Sequence, residues 1–198
     1  MLQRPDKNND GRRVRGADNK RKIVGALLNL IEAGNARPSA EDVASEAGVG
    51  LRTVFRHFAD MDSLHSAVSE RMTAEIKPII DRPFAATDWR AKLDELVDRR
   101  VEMFERLLPF KIAGDVHRYG SVFLTAEHKE LVRVQAEALK RVLPAKLAGD
   151  KARFAVLDLA LSFDAWKRLR QDQGLAVRDA RAALRFAASA LTSSEPGR

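Results

Sequence analysis

The chain has 198 residues, 45% of them hydrophobic and 32% charged, with a net charge of +7 and no cysteine. A chain this long supports one large helical domain or a small domain joined to a larger one, and it buries roughly 70% of its unfolded surface without a covalent staple. Lack of cysteine excludes disulfides, thiolate metal sites and a cysteine nucleophile, and suits a reducing, cytoplasmic setting.

Residues 1–22 carry eight basic and three acidic side chains, so most of the positive excess sits there. With Pro5, Gly11, Gly16 and little to bury, residues 1–16 are expected to be a disordered basic arm, serving either as a solubilising tail or as a contact for nucleic acid. The stretch lacks the apolar core of a signal peptide. No run approaches the roughly 20 apolar residues that cross a bilayer, so a soluble protein with no membrane partner is expected.

From residue 17 onward helical periodicity dominates, and no stretch alternates long enough for a half-buried strand, so the fold class is all-α. The first helix places Ile23, Leu27, Leu30 and Ile31 on one face and closes near Gly34. Pro38 follows. Ser39 with Asp42 has the spacing of a capping box, and the short helix behind it turns Val43 and Ala47 inward. Gly48, Val49 and Gly50 make a compact turn. In the next helix, about 51–58, Val54 and Phe58 form a buried stripe. At about 100° per residue, Arg52 and Arg56 then point away from it, with Thr53 and Phe55 on the flanks.

Asp60 can cap a fourth helix with Met61, Leu64, Val68, Met72 and Ile76 inward, ending or kinking at Pro78. The segment "DRPFAATD" is a loop. Trp89, Leu93, Leu96, Val97, Phe104 and Leu108 mark an amphipathic helix from about Thr87, after which Pro109, Gly114 and Gly120 predict a less regular region. Further helices are expected over 125–142, stopped by Pro144, and over 150–173 and 176–192. On the last, Ala180, Ala183, Leu184, Ala187 and Leu191 share a face of small residues that suits close packing, inside a bundle or between subunits.

The corner segment is similar to that of the TetR family of bacterial transcriptional regulators. The residues carrying the likeness are "SAEDVASEAGV", the "TVFRHF" of the third helix and the "DMDSL" that opens the fourth, which with the first helix span 17–66. The carboxy-terminal "FDAWKRLRQDQGL" and its Ala-rich helix resemble the end of such proteins. The resemblance implies a helix-turn-helix DNA-binding domain over 17–66, then a helical domain over 67–198 that binds a small-molecule effector and forms a homodimer through the last two helices. Its partner is a double-stranded DNA operator, palindromic if the dimer is two-fold, and the default activity is repression relieved by the ligand.

Arg52 and Arg56 are the first choices as base readers, because arginine makes paired bonds to guanine N7 and O6 in the major groove. Ser39, Thr53 and His57 match family positions that touch the DNA backbone; Ser39 also reads as a plain cap and His57 as a packed side chain. Gly50, Phe55 and Met61 depart from the family pattern, and Phe55 there lacks a tyrosine's hydroxyl. Arg12, Arg13 and Arg15 of the arm are candidates to compensate along the minor groove or backbone.

Met103, Phe104, Ile112, Val116, Phe123, Phe163 and Trp166, with His117 and Tyr119 as polar members, are candidates to line an effector pocket, or ordinary core. An apolar or amphipathic ligand is expected. Catalysis is not expected: the four histidines are scattered without metal-binding spacing, "GVG" at 48–50 is too little for a nucleotide loop, and no nucleophile motif occurs. No metal or cofactor is implied. The alternative is a helical interaction protein, or a nonspecific DNA-binding protein, that uses only the basic arm.

Overall fold

The computed structural model describes residues 7–193, with side chains described from residue 15. Every regular element in that range is helical. The order is α1 (Lys7–Glu32), α2 (Ala40–Glu46), α3 (Leu51–His57), α4 (Met61–Ile80), α5 (Trp89–His117), α6 (Val122–Val142), α7 (Ala145–Gly149), α8 (Lys151–Ala160), α9 (Phe163–Lys167) and α10 (Val177–Ser193). A 3₁₀ turn occupies Arg118–Gly120, and Arg168–Asp172 is a π turn. No described helix is long and apolar enough to cross a membrane.

The chain divides into two compact units: the described part of Met1–Thr73 with Pro109–Leu124, and Ala74–Leu108 with the described part of Thr125–Arg198. In the first, Ile23, Leu27 and Ile31 of α1 meet Val43 and Ala44 of α2, Val54 of α3, and Leu64 and Val68 of α4 in a buried core. A spacing of four keeps each set on one face of its helix. In the second, the core centres on Val97 and Phe104 of α5, Leu139 of α6, Leu157 of α8, Trp166 of α9, and Ala180 and Leu184 of α10. The rings of Phe104 and Phe163 meet edge-on at 5.4 Å, the arrangement that the ring quadrupole favours.

Four boundaries differ from the sequence expectation. Helix α1 begins at Lys7, inside the stretch expected as a disordered arm. Extending an existing helix needs no new nucleus, so Gly11 and Gly16, at about 1 kcal/mol each, do not stop it. Helix α4 does not end at Pro78, one of the two courses expected there, but continues to Ile80, and buried Ile79 adds an apolar contact beyond the proline. Helix α5 likewise runs unbroken through Pro109 and Gly114, the region expected to be irregular. A proline costs one backbone bond and a local clash, and packing of Leu107, Leu108 and Ala113 on both sides offsets it.

The fourth difference is a corner where one helix was expected over 150–173. Helix α8 ends at Ala160, and Ser162 caps α9 by accepting from the Ala165 N–H at 3.1 Å. Arg100, 2% exposed, donates from Nη1 to the Leu161 carbonyl at 2.8 Å and from Nη2 to the Gln135 carbonyl at 2.6 Å. Gln135 Oε1 in turn accepts the Phe163 N–H at 3.1 Å. The backbone groups freed by the break are thus met by side chains of α5 and α6, partners that local periodicity cannot reveal.

Candidate nucleic-acid interface

Helices α2 and α3 are each too short to be stable alone, and two devices hold them. The first is the Ser39–Asp42 capping box: the Asp42 N–H donates to Ser39 Oγ at 3.1 Å, and the Ser39 N–H donates to Asp42 Oδ2 at 2.9 Å. The Ser39 backbone N–H, then its hydroxyl, hold the Asp42 carboxyl below its ordinary range. The second device is the turn. Gly48 sits at φ 63°, which only glycine takes without strain, and the Val49 N–H closes the end of α2 onto the Ala44 carbonyl at 3.0 Å. Asn29 on α1 donates to Glu46 at 3.2 Å, fixing α2 to the first helix.

Val54 on α3 and Phe58, its C-cap, are buried, and Lys20 of α1 lies 5.8 Å from the centre of the Phe58 ring. Arg52 and Arg56 are exposed, and neither makes an ion pair or hydrogen bond with another described residue. Elsewhere several arginines are held by carboxylates, as Arg82 is by Glu102 and Arg185 by Asp98. No acid lies within α3 itself. The helix therefore presents two uncommitted guanidinium groups, a donor set that fits guanine edges or phosphate oxygens.

The remaining DNA-contact candidates fall less uniformly. Ser39 is exposed while it caps α2, Thr53 is half-buried, and Phe55 is 51% exposed on the flank. His57 is half-buried, and its Nε2 is shielded without a hydrogen-bond partner, near Gly16 of α1. That nitrogen packs inward, which favours the packed alternative over a DNA-backbone contact through this atom. Arg15 is exposed on α1, whereas the side chains of Arg12 and Arg13 lie outside the described set. Arg37 was not singled out from the sequence. It is exposed, without a side-chain partner among the described residues, and precedes buried Pro38 and the Ser39 cap; an arginine directly before a cap is the signal that could have found it.

The nine ligand candidates are divided between the two units. Phe104, Phe163 and Trp166 are core of the second unit, where Trp166 Nε1 donates to Glu105 at 2.9 Å and Met103 is half-buried. Ile112 and Phe123 are half-buried in the first unit, Val116 and His117 are exposed, and Tyr119 is 89% exposed beneath the stacked Arg118 guanidinium. Phe163 alone among the nine lines the small cleft between α6 and the α8–α9 corner. Helical periodicity marks an inward face without separating core from pocket wall, which accounts for the mixed set.

The expected dimer residues differ in exposure. Ala180 and Leu184 are buried within the chain, where α10 packs on α8, and so are not available to a second subunit. Ala183, Ala187 and Leu191 are half-buried. The exposed apolar side chains of these two helices are Val156 and Leu159, the latter 66% exposed, on α8, and Phe186, 76% exposed, on α10. Ala152, Ala155, Ala182 and Ala190 extend both exposed stripes. Among the described residues no three His, Asp or Glu side chains converge as metal ligands.

The chain shares its fold with a solved structure of a transcriptional regulator from Rhodococcus sp. Rha1, at a TM-score of 0.63 and 16% identity over 88% of this chain and 96% of that one. No protein-family model matches the sequence. No curated protein matches it either.

Proposed function

We propose that this protein is a TetR-family regulator: a cytoplasmic homodimer that reads a palindromic operator and represses transcription until a small apolar or amphipathic molecule releases it. The observation that carries this is the α2–α3 corner, in which a buried Val54–Phe58 stripe turns Arg52 and Arg56 outward with no partner among the described residues. A helix of this kind fits the major groove, where arginine distinguishes guanine. Ser39, Thr53 and Arg37 supply backbone contacts that set register, and the basic start of α1 adds sequence-independent attraction. The shared fold with a transcriptional regulator supports the same function.

A palindromic site requires two copies. The face that suits a second copy is the exposed stripe of α8 and α10 around Leu159 and Phe186, because large apolar side chains gain by leaving water. The effector would act by binding one arrangement of the two α3 helices better than the other. Affinity selection on random duplex DNA at physiological salt, followed by sequencing of the bound pool, tests the central claim. An enriched palindrome is expected; a bound pool with no motif would instead favour a nonspecific DNA-binding protein using its basic arm.

A further inference from the structure

Phe55 takes no part in the contacts proposed for Arg52, Arg56, Ser39, Thr53 and Arg37. Among the described residues up to Thr73 it is the one large apolar side chain that stays exposed, at 51%, while Val54 beside it and the C-cap Phe58 are buried. The core of the first unit is built on those two side chains and leaves much of this ring in water. Phe55 stands about 60° round the helix from Arg52 and about 4.5 Å further along its axis, with Arg56 the next residue. No acid lies within α3, neither guanidinium is held by a described residue, and no described ring or cation stacks on Phe55. The outer side of α3 thus combines two uncommitted cations with one apolar ring.

A phenyl ring carries no hydrogen-bonding group, so it cannot hold a phosphate oxygen or a polar base edge. A single exposed phenylalanine is common on protein surfaces; what distinguishes Phe55 is its place beside two arginines whose donors fit the groove. In the major groove the one apolar group that base edges present is the C5-methyl of thymine. We propose that Phe55 is a specificity residue that packs on a thymine methyl, within about two base pairs of a guanine assigned to Arg52 or Arg56. The offset of about 4.5 Å along α3, against a base step of about 3.4 Å, sets that distance. This rests on the sequence-reading function proposed above and deepens it: the half-site holds a thymine close to a guanine, and its methyl group is itself read.

The test uses the full chain and the palindrome enriched by DNA selection, with each thymine of the half-site replaced in turn by deoxyuridine, which pairs identically and lacks only the methyl. At one thymine of the half-site, close to a guanine, affinity should fall by about fourfold per methyl removed, the loss for one buried carbon of that size. Phe55→Ala should bind more weakly and no longer distinguish thymine from deoxyuridine there, while keeping the guanine preferences that Arg52→Ala and Arg56→Ala relax. Taking the methyl from the DNA needs no altered protein, so a folding defect in the variant leaves the first arm standing. Equal affinity for every deoxyuridine duplex would overturn the assignment, and so would a half-site with no thymine that close to a guanine. Methyl dependence that persists in Phe55→Ala would also overturn it, by placing the methyl against another side chain. A variant that weakens all duplexes alike, with no methyl effect, would make the ring a sugar contact and overturn it too. A bound pool with no motif refutes the sequence-reading function and this assignment with it, whereas a motif whose thymine methyls go unread refutes the assignment alone.

Discussion

Arg52 and Arg56 lie four residues apart on α3, on the side of the helix opposite Val54 and Phe58. Replacing either with alanine leaves the core untouched, so the fold should survive while base discrimination falls by about 1–3 kcal/mol at the guanine each is proposed to read. Repeating the DNA selection with each variant checks this: one position of the motif should relax, and motif loss accompanied by unfolding would contradict it. Ser39 has a different signature, because it holds α2 itself. Ser39→Ala should cost about 1 kcal/mol of stability by denaturant titration. The same change should alter acid stability. The folded Asp42 pKa is held below its ordinary value, so its contribution is present above about pH 4 and is lost as pH falls through the folded value. The variant's stability should therefore fall less steeply on the acid side than that of the parent.

At the scale of elements, the basic start of α1 and the α8–α9 corner carry the sharpest expectations. Removing residues 1–16 deletes Arg12, Arg13 and Arg15 together with the first turns of α1. DNA binding should weaken, and its log–log salt dependence should flatten by about 0.9 for each phosphate that the arm had neutralised. An unchanged slope would remove the arm from the interface. The corner depends on Arg100, whose guanidinium burial lowers to about 10, still well charged at neutral pH. Arg100→Ala would strip the donors from the Leu161 and Gln135 carbonyls and leave a void, so a loss of about 2–4 kcal/mol is expected in chemical denaturation. A loss below about 0.5 kcal/mol, the level of an ordinary surface change, would mean that water replaces the arginine without strain.

For the molecule as a whole, the proposed dimer face is the exposed stripe on α8 and α10. Phe186→Glu and Leu159→Glu each place a charge where a partner's apolar surface would sit. Light scattering should then report monomers that retain their helicity, and binding to the palindrome should be lost while half-site binding persists weakly. A dimer unaffected by both substitutions would place the interface elsewhere.

Much of the first unit was legible because its determinants are local: the Ser39–Asp42 box spans three residues, the Gly48 turn needs a left-handed residue, and the Val54–Phe58 stripe is one helical turn. The outward direction of Arg52 and Arg56 follows from that stripe alone. The all-helical class and the geometry of the α2–α3 corner could therefore be read from the chain without its fold, since periodicity and capping act within a few residues. Long-range packing set the rest. Whether Pro78 and Pro109 break their helices depends on packing from residues far along the chain. The break at Leu161 depends on Arg100, 61 positions away. Ala180 and Leu184 are core, and Phe186 is surface, because α8 covers one side of α10 and not the other. Periodicity tells which residues share a face, and only the folded neighbours tell what covers it.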